Sequence, residues 1–231
     1  MTIQEYFAGD PAGGADFLEL ERRGAQTVLC EENAVILYMP PDGTVLFAAK
    51  NEDAARKAAG LLPRTGIASV HGEVCARIAA EALGLKGGAR CYQARYLLPE
   101  LPEMTAGIEV RILDEQYIET AARHYKGVGE DSDAYMRERV KAGALLGAFF
   151  LNGILAGFIG THHEGSMGML EIFPEYRRLG LGYALESALI RRLMEQGAIP
   201  YCQVYEGNEA SLRLQRKLGL TFSDEFVYWL S

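Results

Sequence analysis

The chain has 231 residues and a formal net charge of −8. Apolar residues make up 49% of it and charged residues 23%, which is the composition of a globular protein and excludes the disordered, collagen-like and coiled-coil classes. Acidic residues outnumber basic ones in both halves, so neither half supplies the basic footprint that DNA or RNA binding requires. The length fits one large domain or two modest ones.

The cysteines and the N-terminal segment bear on the cellular compartment. No two of the four cysteines have the CxxC spacing of a zinc ribbon or a redox pair; they are Cys30, Cys75, Cys91 and Cys202. The opening residues, MTIQEYFAGD, lack the basic and apolar segments of a secretory signal. We therefore expect reduced cysteines in a cytoplasmic protein that binds no metal.

A polar stretch with two prolines, residues 99–107, predicts a boundary between two domains, 1–105 and 106–231. The first domain is predicted to be a small α/β unit. Its strands are expected over 34–40, 44–50, 66–70 and 89–98, with a turn at Pro41-Asp42-Gly43, and its helices from Asn51 onward and over 72–85, ending near Gly87-Gly88. His71 beside Glu73 is either an acid–base pair or, as we expect, part of a capping loop.

The second domain is predicted to begin with a strand over 108–113 and helices over 113–125 and 133–143. The uncharged stretch 143–160 is long enough for a membrane-spanning helix. However, Asn152-Gly153 at its centre is a strong hairpin signal, and four further glycines disfavour a helix. We predict two buried strands joined by a tight turn, and no membrane contact.

The remaining elements complete the order β-α-α-β-β-β-α-β-α-β. A strand over 166–173 leads into a loop over 174–182, and an amphipathic helix follows over 183–197. A strand over 201–207, a short helix capped by Asn208 and a strand over 226–230 end the chain.

The most informative motif is the glycine-rich loop Arg177-Arg178-Leu179-Gly180-Leu181-Gly182, which lies between a strand and a helix. Such a loop exposes unpaired backbone N–H groups at the positive end of the helix dipole, an arrangement that suits a pyrophosphate. The segment 177–217 is also locally basic in an acidic protein. A dinucleotide-binding loop is the alternative, but position 185 is leucine where the third glycine of GxGxxG would stand.

Two segments together, PEYRRLGLG and NEASLRLQRKLGL, make the chain similar to the GNAT superfamily of acyl-CoA-dependent N-acyltransferases. The first matches the family's Q/R-x-x-G-x-G/A signature from Arg177 to Gly182. The second resembles the family's N-x-x-A/S-x-x-L-Y-x-K-x-G-F pattern; the matching residues are Asn208, Ser211, Leu214, Lys217 and Gly219. The resemblance covers about residues 107–231, and its Asn-x-x-Ser form looks closest to the glycine N-acyltransferase-like branch.

The resemblance implies an α/β (α+β) fold whose C-terminal domain has a splayed, mixed, mostly antiparallel sheet flanked by helices. It implies that strand 166–173 holds the acyl-pantetheine arm, that the loop holds the pyrophosphate, and that the start of the last helix lines the far wall of the cleft. The residues implied to bind acyl-CoA are Leu170, Glu171, Ile172, Arg177, Arg178, Leu179, Gly180, Leu181, Gly182, Tyr183, Asn208 and Ser211. The N-terminal domain is expected to be a scaffold whose element order suits a degenerate copy of the second domain, with an independent binding domain as the alternative.

The catalytic groups depart from the family pattern. Gln215 stands where the family often has a tyrosine that acts as the general acid. Gln203 stands where one branch has a glutamate base. Another branch places its base early in the fourth strand, where this chain has Ser166 and Gly168. We therefore predict Glu171 as base or amine ligand, one of the residues of His162-His163-Glu164 as an alternative base, with His163 preferred, and Tyr205 as replacement acid.

These observations predict an N-acetyltransferase that transfers a short acyl group from acetyl-CoA, or another acyl-CoA, to a small-molecule amine such as an amino acid. Direct attack needs no covalent nucleophile, so the lack of a Ser/His/Asp motif does not count against this reaction. A monomer or homodimer is expected. The alternatives are an inactive acyl-CoA-binding module and a scaffold that binds no CoA.

Overall fold

The computed structural model describes residues 1–40, 42–125, 132–150 and 153–231. The described residues form eight α-helices and eleven strands, numbered along the chain. The helices are α1 (Ile3–Tyr6), α2 (Ala15–Arg22), α3 (Glu52–Ala59), α4 (Glu73–Leu83), α5 (Ile118–His124), α6 (Ser132–Lys141), α7 (Leu181–Glu195) and α8 (Glu209–Leu218). The strands are β1 (Gln26–Glu31), β2 (Ala34–Met39), β3 (Thr44–Ala49), β4 (Ala68–His71), β5 (Gly87–Arg95), β6 (Glu109–Ile112), β7 (Leu145–Phe149), β8 (Leu155–Thr161), β9 (Met167–Ile172), β10 (Tyr201–Tyr205) and β11 (Thr221–Leu230).

The chain divides into two compact units. The first unit consists of Met1–Leu97 and Tyr201–Ser231, and the second of Leu98–Pro200. This differs from the predicted division at residue 105, because residues 201–231 belong with the N-terminal residues. The reason is strand pairing: β10 and β11 lie antiparallel on either side of β5, and β11 also pairs with β4. Composition along the chain cannot reveal such a return.

In the first unit the strand order is β1-β2-β3-β4-β11-β5-β10, and of the described pairs only β3–β4 is parallel. Alternate residues of β2 enter two different cores: Ile36 packs with α3 and α4, while Val35 packs with α1 and α2. Both faces of β2 and β3 are therefore covered, which explains why AVILYM and TVLFAA are continuous apolar runs instead of alternating ones.

In the second unit the strands follow the order β9-β8-β7-β6, and every described pair is antiparallel. Helices α5 and α6 cover one core with β7, β8 and β9. Its fully buried side chains include Leu113, Met136, Leu145 and Phe158. Helix α7 also packs against β7, β8 and β9 but contributes no residue to that cluster.

The predicted element order is confirmed, with three corrections to boundaries. Helix α7 begins at Leu181 instead of residue 183, so the end of the glycine motif is already helical. Strand β11 begins at Thr221 instead of residue 226. Helix α4 ends at Gly84, whose positive φ of 71° suits a glycine, and Gly87-Gly88 opens β5.

Two further outcomes concern segments that were hard to assign. The first 33 residues, for which no element was predicted, form α1, α2 and β1. The uncharged stretch forms β7 and β8 as predicted, but Asn152 of the expected turn lies outside the described residues, as does Pro41 of the first turn. Within the described ranges, no helix is both long and apolar enough to cross a membrane.

Candidate functional site

The glycine-rich loop is tied to the end of β9. A 3-10 turn over Pro174–Tyr176 reverses the chain, and the Arg177 Nε donates a 3.1 Å hydrogen bond to the carbonyl oxygen of Ile172. Two residues of the loop have positive φ: Arg178 at 67° and Gly180 at 81°. Because a non-glycine residue rarely adopts this conformation, the strained backbone of Arg178 lowers the free energy of unfolding, and other contacts of the folded protein must offset that loss.

The loop leads directly into the N-terminus of α7. Gly180 is the N-cap and makes no side-chain hydrogen bond to the first turn. The first intrahelical bond runs from the Ala184 N–H to the Gly180 carbonyl, so the N–H groups of Leu181 and Gly182 have no partner within the helix. Of the eight α-helices in the described ranges, only α7 carries no acidic residue in its first turn.

The charges around this terminus are positive. Arg177 and Arg178 are exposed, and they add to the partial positive charge of the helix dipole. Every other α-helix of the described chain places a carboxylate near its own first turn. The start of α7 is therefore electrostatically suited to an anion, and the binding of a pyrophosphate there stays a prediction.

Strand β9 carries an irregularity at its centre. Phe158 pairs with Glu171 and Gly160 pairs with Gly168, so β9 has one more residue than β8 between these two pairs. Met169 lies within this bulge and has a φ of 55°. A bulge removes a backbone group from the ladder and makes it available to another partner. The half-buried residues Leu170, Glu171 and Ile172, predicted to contact the acyl-pantetheine arm, follow it directly.

The predicted far wall of the cleft belongs to the first unit. Asn208 is the N-cap of α8, and its side-chain oxygen accepts a 3.2 Å hydrogen bond from the Ser211 N–H. Asn208 is exposed and Ser211 half-buried. This capping bond gives the Asn-x-x-Ser pattern a local structural role, because an N-cap side chain bonds the backbone N–H three residues further along.

The three predicted catalytic side chains fall in both units. Glu171 and His163 belong to the second unit, and Tyr205 lies 46% exposed at the end of β10 in the first. The His163 side chain is 50% exposed, with its Nε2 3.2 Å from Glu138 Oε2 and its Nδ1 3.4 Å from a guanidinium nitrogen of Arg139. His163 thus lies half-exposed between the half-exposed Glu138 and the buried Arg139.

The two glutamines at expected catalytic positions are part of the interior of the first unit. Gln203 donates from Nε2 to Gln93 Oε1 at 2.8 Å, and its Oε1 accepts from the Trp229 indole at 2.6 Å. Gln215 is 2% exposed, and its Oε1 has no hydrogen-bond partner. Neither amide has a proton-transfer role, which agrees with the departure from the family pattern.

The structure distinguishes the two adjacent histidines more sharply than the sequence. The ring of His162 stacks on Tyr135 of α6, with ring centroids 5.9 Å apart and an interplanar angle of 19°. The Tyr135 hydroxyl lies 2.8 Å from His162 Nδ1. Burial lowers the pKa of His162 and raises the pKa of Tyr135. Adjacent histidines marked this turn in the sequence, but nothing local indicated which of them a tyrosine would hold.

Over residues 1–40, 42–125, 132–150 and 153–231, no group of three or more His, Cys, Asp or Glu side chains is positioned to bind a metal ion.

Comparison with known proteins gives the fold. A family model described as FR47-like protein, which is GNAT-related, matches residues 145–230. A Drosophila protein of solved structure is 19% identical, with 85% of this chain and 72% of that chain covered and a TM-score of 0.63. A GCN5-related N-acetyltransferase from Kribbella flavida is 16% identical, with 95% and 93% covered and a TM-score of 0.57.

A third structure points the same way. An acetyltransferase of the GNAT family from Colwellia psychrerythraea is 12% identical, with 87% of this chain and 81% of that chain covered and a TM-score of 0.53. No curated protein matches the chain in sequence. At these identities the likeness shows architecture: the chain has a mixed α/β fold, mostly antiparallel in its sheets and flanked by helices, similar to that of GCN5-related N-acetyltransferases.

Proposed function

We propose that the protein is an N-acyltransferase that binds acetyl-CoA, or another short acyl-CoA, and transfers the acyl group to a primary amine. One observation carries the proposal: an uncapped helix start, preceded by two arginines, directly follows a bulged strand. In a chain with the fold of N-acetyltransferases, this is where the pyrophosphate of CoA would bind.

The anion site suggests how CoA would be held. The N–H groups of Leu181, Gly182 and Tyr183 would donate to pyrophosphate oxygens, and Arg178 would add a charge-assisted contact. The backbone of Leu170, Glu171 and Ile172 would hold the acyl-pantetheine arm. Asn208 and Ser211 are the remaining residues that the sequence predicts to contact the cofactor.

The reaction is a direct transfer. The lone pair of a neutral amine attacks the thioester carbonyl carbon, the C–N bond forms, and the C–S bond then breaks with its electron pair leaving on the CoA sulfur. Because an alkyl amine has a pKa of about 10.4, a base must remove a proton at neutral pH. A backbone N–H freed by the bulge of β9 is suited to stabilise the oxyanion.

The sequence-predicted side chains supply possible proton carriers. Glu171 lies on the cofactor strand and is proposed as an amine ligand or base; His163 is a second possible base, and Tyr205 is the proposed acid. The thiolate leaving group is stable enough that an acid contributes only modestly. The acceptor is proposed to be a small-molecule amine such as an amino acid, and the net charge of −8 favours amines with a net positive charge.

The first experiment is calorimetric titration of acetyl-CoA into the purified protein and into Gly182→Asp. Asp at the second position of a helix is compatible with folding, since it favours the dipole, but its carboxylate would repel the pyrophosphate. Val74→Asp is the matched control, because Val74 is 40% exposed at the second position of α4, which also follows a glycine N-cap. We expect micromolar binding in the parent and in Val74→Asp, and a loss of 100-fold or more in Gly182→Asp.

Binding that Gly182→Asp leaves unchanged would show that the loop does not hold the cofactor. If neither acetyl-CoA nor longer acyl-CoAs bind, the proposal is wrong.

A second candidate function is an acyl-CoA-binding module without transfer activity. It is favoured by the two glutamines, both engaged in or buried within the first unit. Release of free thiol from acetyl-CoA in the presence of amino acids, polyamines and aminoglycosides separates the two functions. Binding without turnover for any amine would favour the module. Turnover of glycine or another amino acid would also support the glycine N-acyltransferase-like assignment.

A further inference from the structure

The imidazole of His162 is fixed in place by a neighbouring helix. His162 directly follows β8, in the turn that leads to β9, and it is half-buried. Tyr135 of α6 both stacks on the ring and contacts Nδ1 through its hydroxyl at 2.8 Å. Two contacts of different kinds restrain rotation of the ring, and the orientation of its other nitrogen, Nε2, follows from them.

Nε2 lies over β9, immediately before the bulge. A Cβ atom built on Gly168 would be only 2.4 Å from His162 Nε2, so no side chain fits at position 168 while the ring stays in place. Gly168 pairs with Gly160 on β8, and Met169 of the bulge follows it. Strand β9 thus has no side chain at position 168, and His162 Nε2 from the turn before the strand occupies the space.

We propose that His162 is the general base of the acyl transfer and that Tyr135 is a positioning residue that holds its ring; this rests on the proposed function. In the step, the proton of the attacking amine moves to Nε2 while the N–H electron pair stays on nitrogen. The C–N bond forms, the C–S bond breaks, and the CoA thiolate leaves. The imidazolium then returns its proton to the thiolate or to solvent, so atoms and charge balance.

This role requires one particular tautomer. A base at Nε2 must carry its ring proton on Nδ1, where it would donate to the Tyr135 hydroxyl oxygen. The charged groups that face the ring are Glu164 and His163 from the same turn and Arg139 from α6. Burial dominates over these charges and lowers the pKa of His162, which keeps the imidazole neutral at neutral pH.

The neighbouring His163 offers a direct comparison. It is more exposed and lies beside Glu138, and its ring is tilted by 59° to that of Tyr135, with centroids 5.2 Å apart. The two residues therefore differ in burial and in the contact to the Tyr135 hydroxyl, which His162 makes through Nδ1, although they are adjacent in the chain.

The kinetic test uses initial rates of thiol release from acetyl-CoA with the best amine of the panel, measured from pH 5 to 9. Ionisation of the amine affects all variants alike. In the parent, we expect kcat/KM to fall further as the pH drops through a value below the ordinary imidazole pKa of about 6.5. His162→Asn should lower kcat/KM 100-fold or more and remove that step, while Tyr135→Phe should lower kcat about tenfold with little change in KM.

His163→Asn is the matched comparison. If the acid step disappears in His163→Asn and persists in His162→Asn, the assignment is overturned and His163 is the base. Calorimetric affinity for acetyl-CoA, expected to be unchanged in all three variants, distinguishes this failure from a failure of the proposed function, in which the parent binds no acyl-CoA or turns over no amine. Addition of free imidazole to His162→Ala should restore part of the rate, a rescue that a merely structural role would not produce.

A second measurement does not depend on activity. A long-range proton–nitrogen correlation spectrum of the imidazole groups in the intact protein reports the tautomer of each histidine, with His162→Asn providing the assignment. We expect the Nδ1–H form for His162 at neutral pH. The Nε2–H form would overturn the proposal whatever the acceptor amine is.

Discussion

Helices α4 and α7 each begin after a glycine of positive φ, yet in opposite electrostatic surroundings. Gly72 precedes α4 with a φ of 82° and a ψ of 141°, and Gly180 precedes α7 with a φ of 81° and a ψ of 2°, so the two glycines share φ but not ψ. Neither N-cap residue makes a side-chain capping bond to the first turn of its helix. The lack of a side-chain cap alone would assign an anion site to both.

The charged neighbours separate them. The first residue of α4 is Glu73, and the Glu225 carboxylate lies 3.5 Å from the place a Cβ of Gly72 would take. The start of α7 has arginines instead, and its first turn contains no acid. A glycine-led helix terminus thus becomes a candidate anion site only where the protein supplies no carboxylate of its own.

The largest expected effect comes from breaking the buried contact between Asp16 and His71 beside the start of α4, which we call the anchor. His71 Nε2 lies 2.8 Å from Asp16 Oδ2, and Asp16 Oδ1 accepts from the Gln93 amide at 3.1 Å. Because Asp16 and His71 are 2% and 5% exposed, Asp16→Ala leaves polar groups buried without a partner. We expect the free energy of unfolding in urea to fall by about 3–5 kcal/mol.

The milder change Asp16→Asn keeps a hydrogen-bonding group in place and is expected to cost less than Asp16→Ala. Equal losses for the two variants, or a loss below about 1 kcal/mol for alanine, would contradict the role of this anchor.

The next effect tests what the different ψ values of the two glycines cost. Gly180→Ala puts alanine in the left-handed helical region, at a cost of about 1–2 kcal/mol, whereas Gly72→Ala puts it in a region that is essentially restricted to glycine, at a cost of about 2–3 kcal/mol. Space does not distinguish them, since a Cβ at Gly180 meets nothing within 4 Å and the nearest atom at Gly72 is at an ordinary contact distance. Thermal and urea unfolding should show the larger loss of stability for Gly72→Ala, and a larger loss for Gly180→Ala would contradict this account of the two backbones.

A third change removes charge at α7 without disturbing the loop. Arg178→Asn retains a residue that tolerates the φ of 67° but deletes the guanidinium. A lost charge-assisted contact should weaken acetyl-CoA binding about tenfold and reduce its dependence on salt. Calorimetry at two salt concentrations measures both effects. Unchanged affinity would mean that Arg178 points away from the ligand.

The smallest effect sharpens the comparison from the other side. Glu73→Gln removes the acid that faces the dipole of α4, and stability should fall by about 0.3–1 kcal/mol in urea unfolding. Acetyl-CoA affinity should not change, and no second binding site should appear in the titration. A second acetyl-CoA site at α4 would mean that removal of the acid is sufficient for binding at a helix start that has no arginines like those before α7.

How much the sequence could predict depended on the range of the interactions. The helix at Asn51, the strands of the uncharged stretch and the helix after the glycine-rich loop were predictable because a cap, a pattern or a turn lies within a few residues of the element it defines. The interpretation of Gln203 was not, because its partner Gln93 is 110 residues away. The preference for His163 over His162 rested on sequence position alone, and sequence position does not reveal that Tyr135 stacks on His162.

The sequence by itself determined the order of helices and strands and the charge and glycine content of the loop before α7, since these are local properties of the chain. The tertiary structure decided which residues form a compact unit, because β10 and β11 return to pair with β5. It also decided which histidine contacts the hydroxyl of Tyr135, because that residue lies 27 positions away from His162 in the chain. Burial and orientation arise only when distant segments pack together, and proton chemistry depends on both.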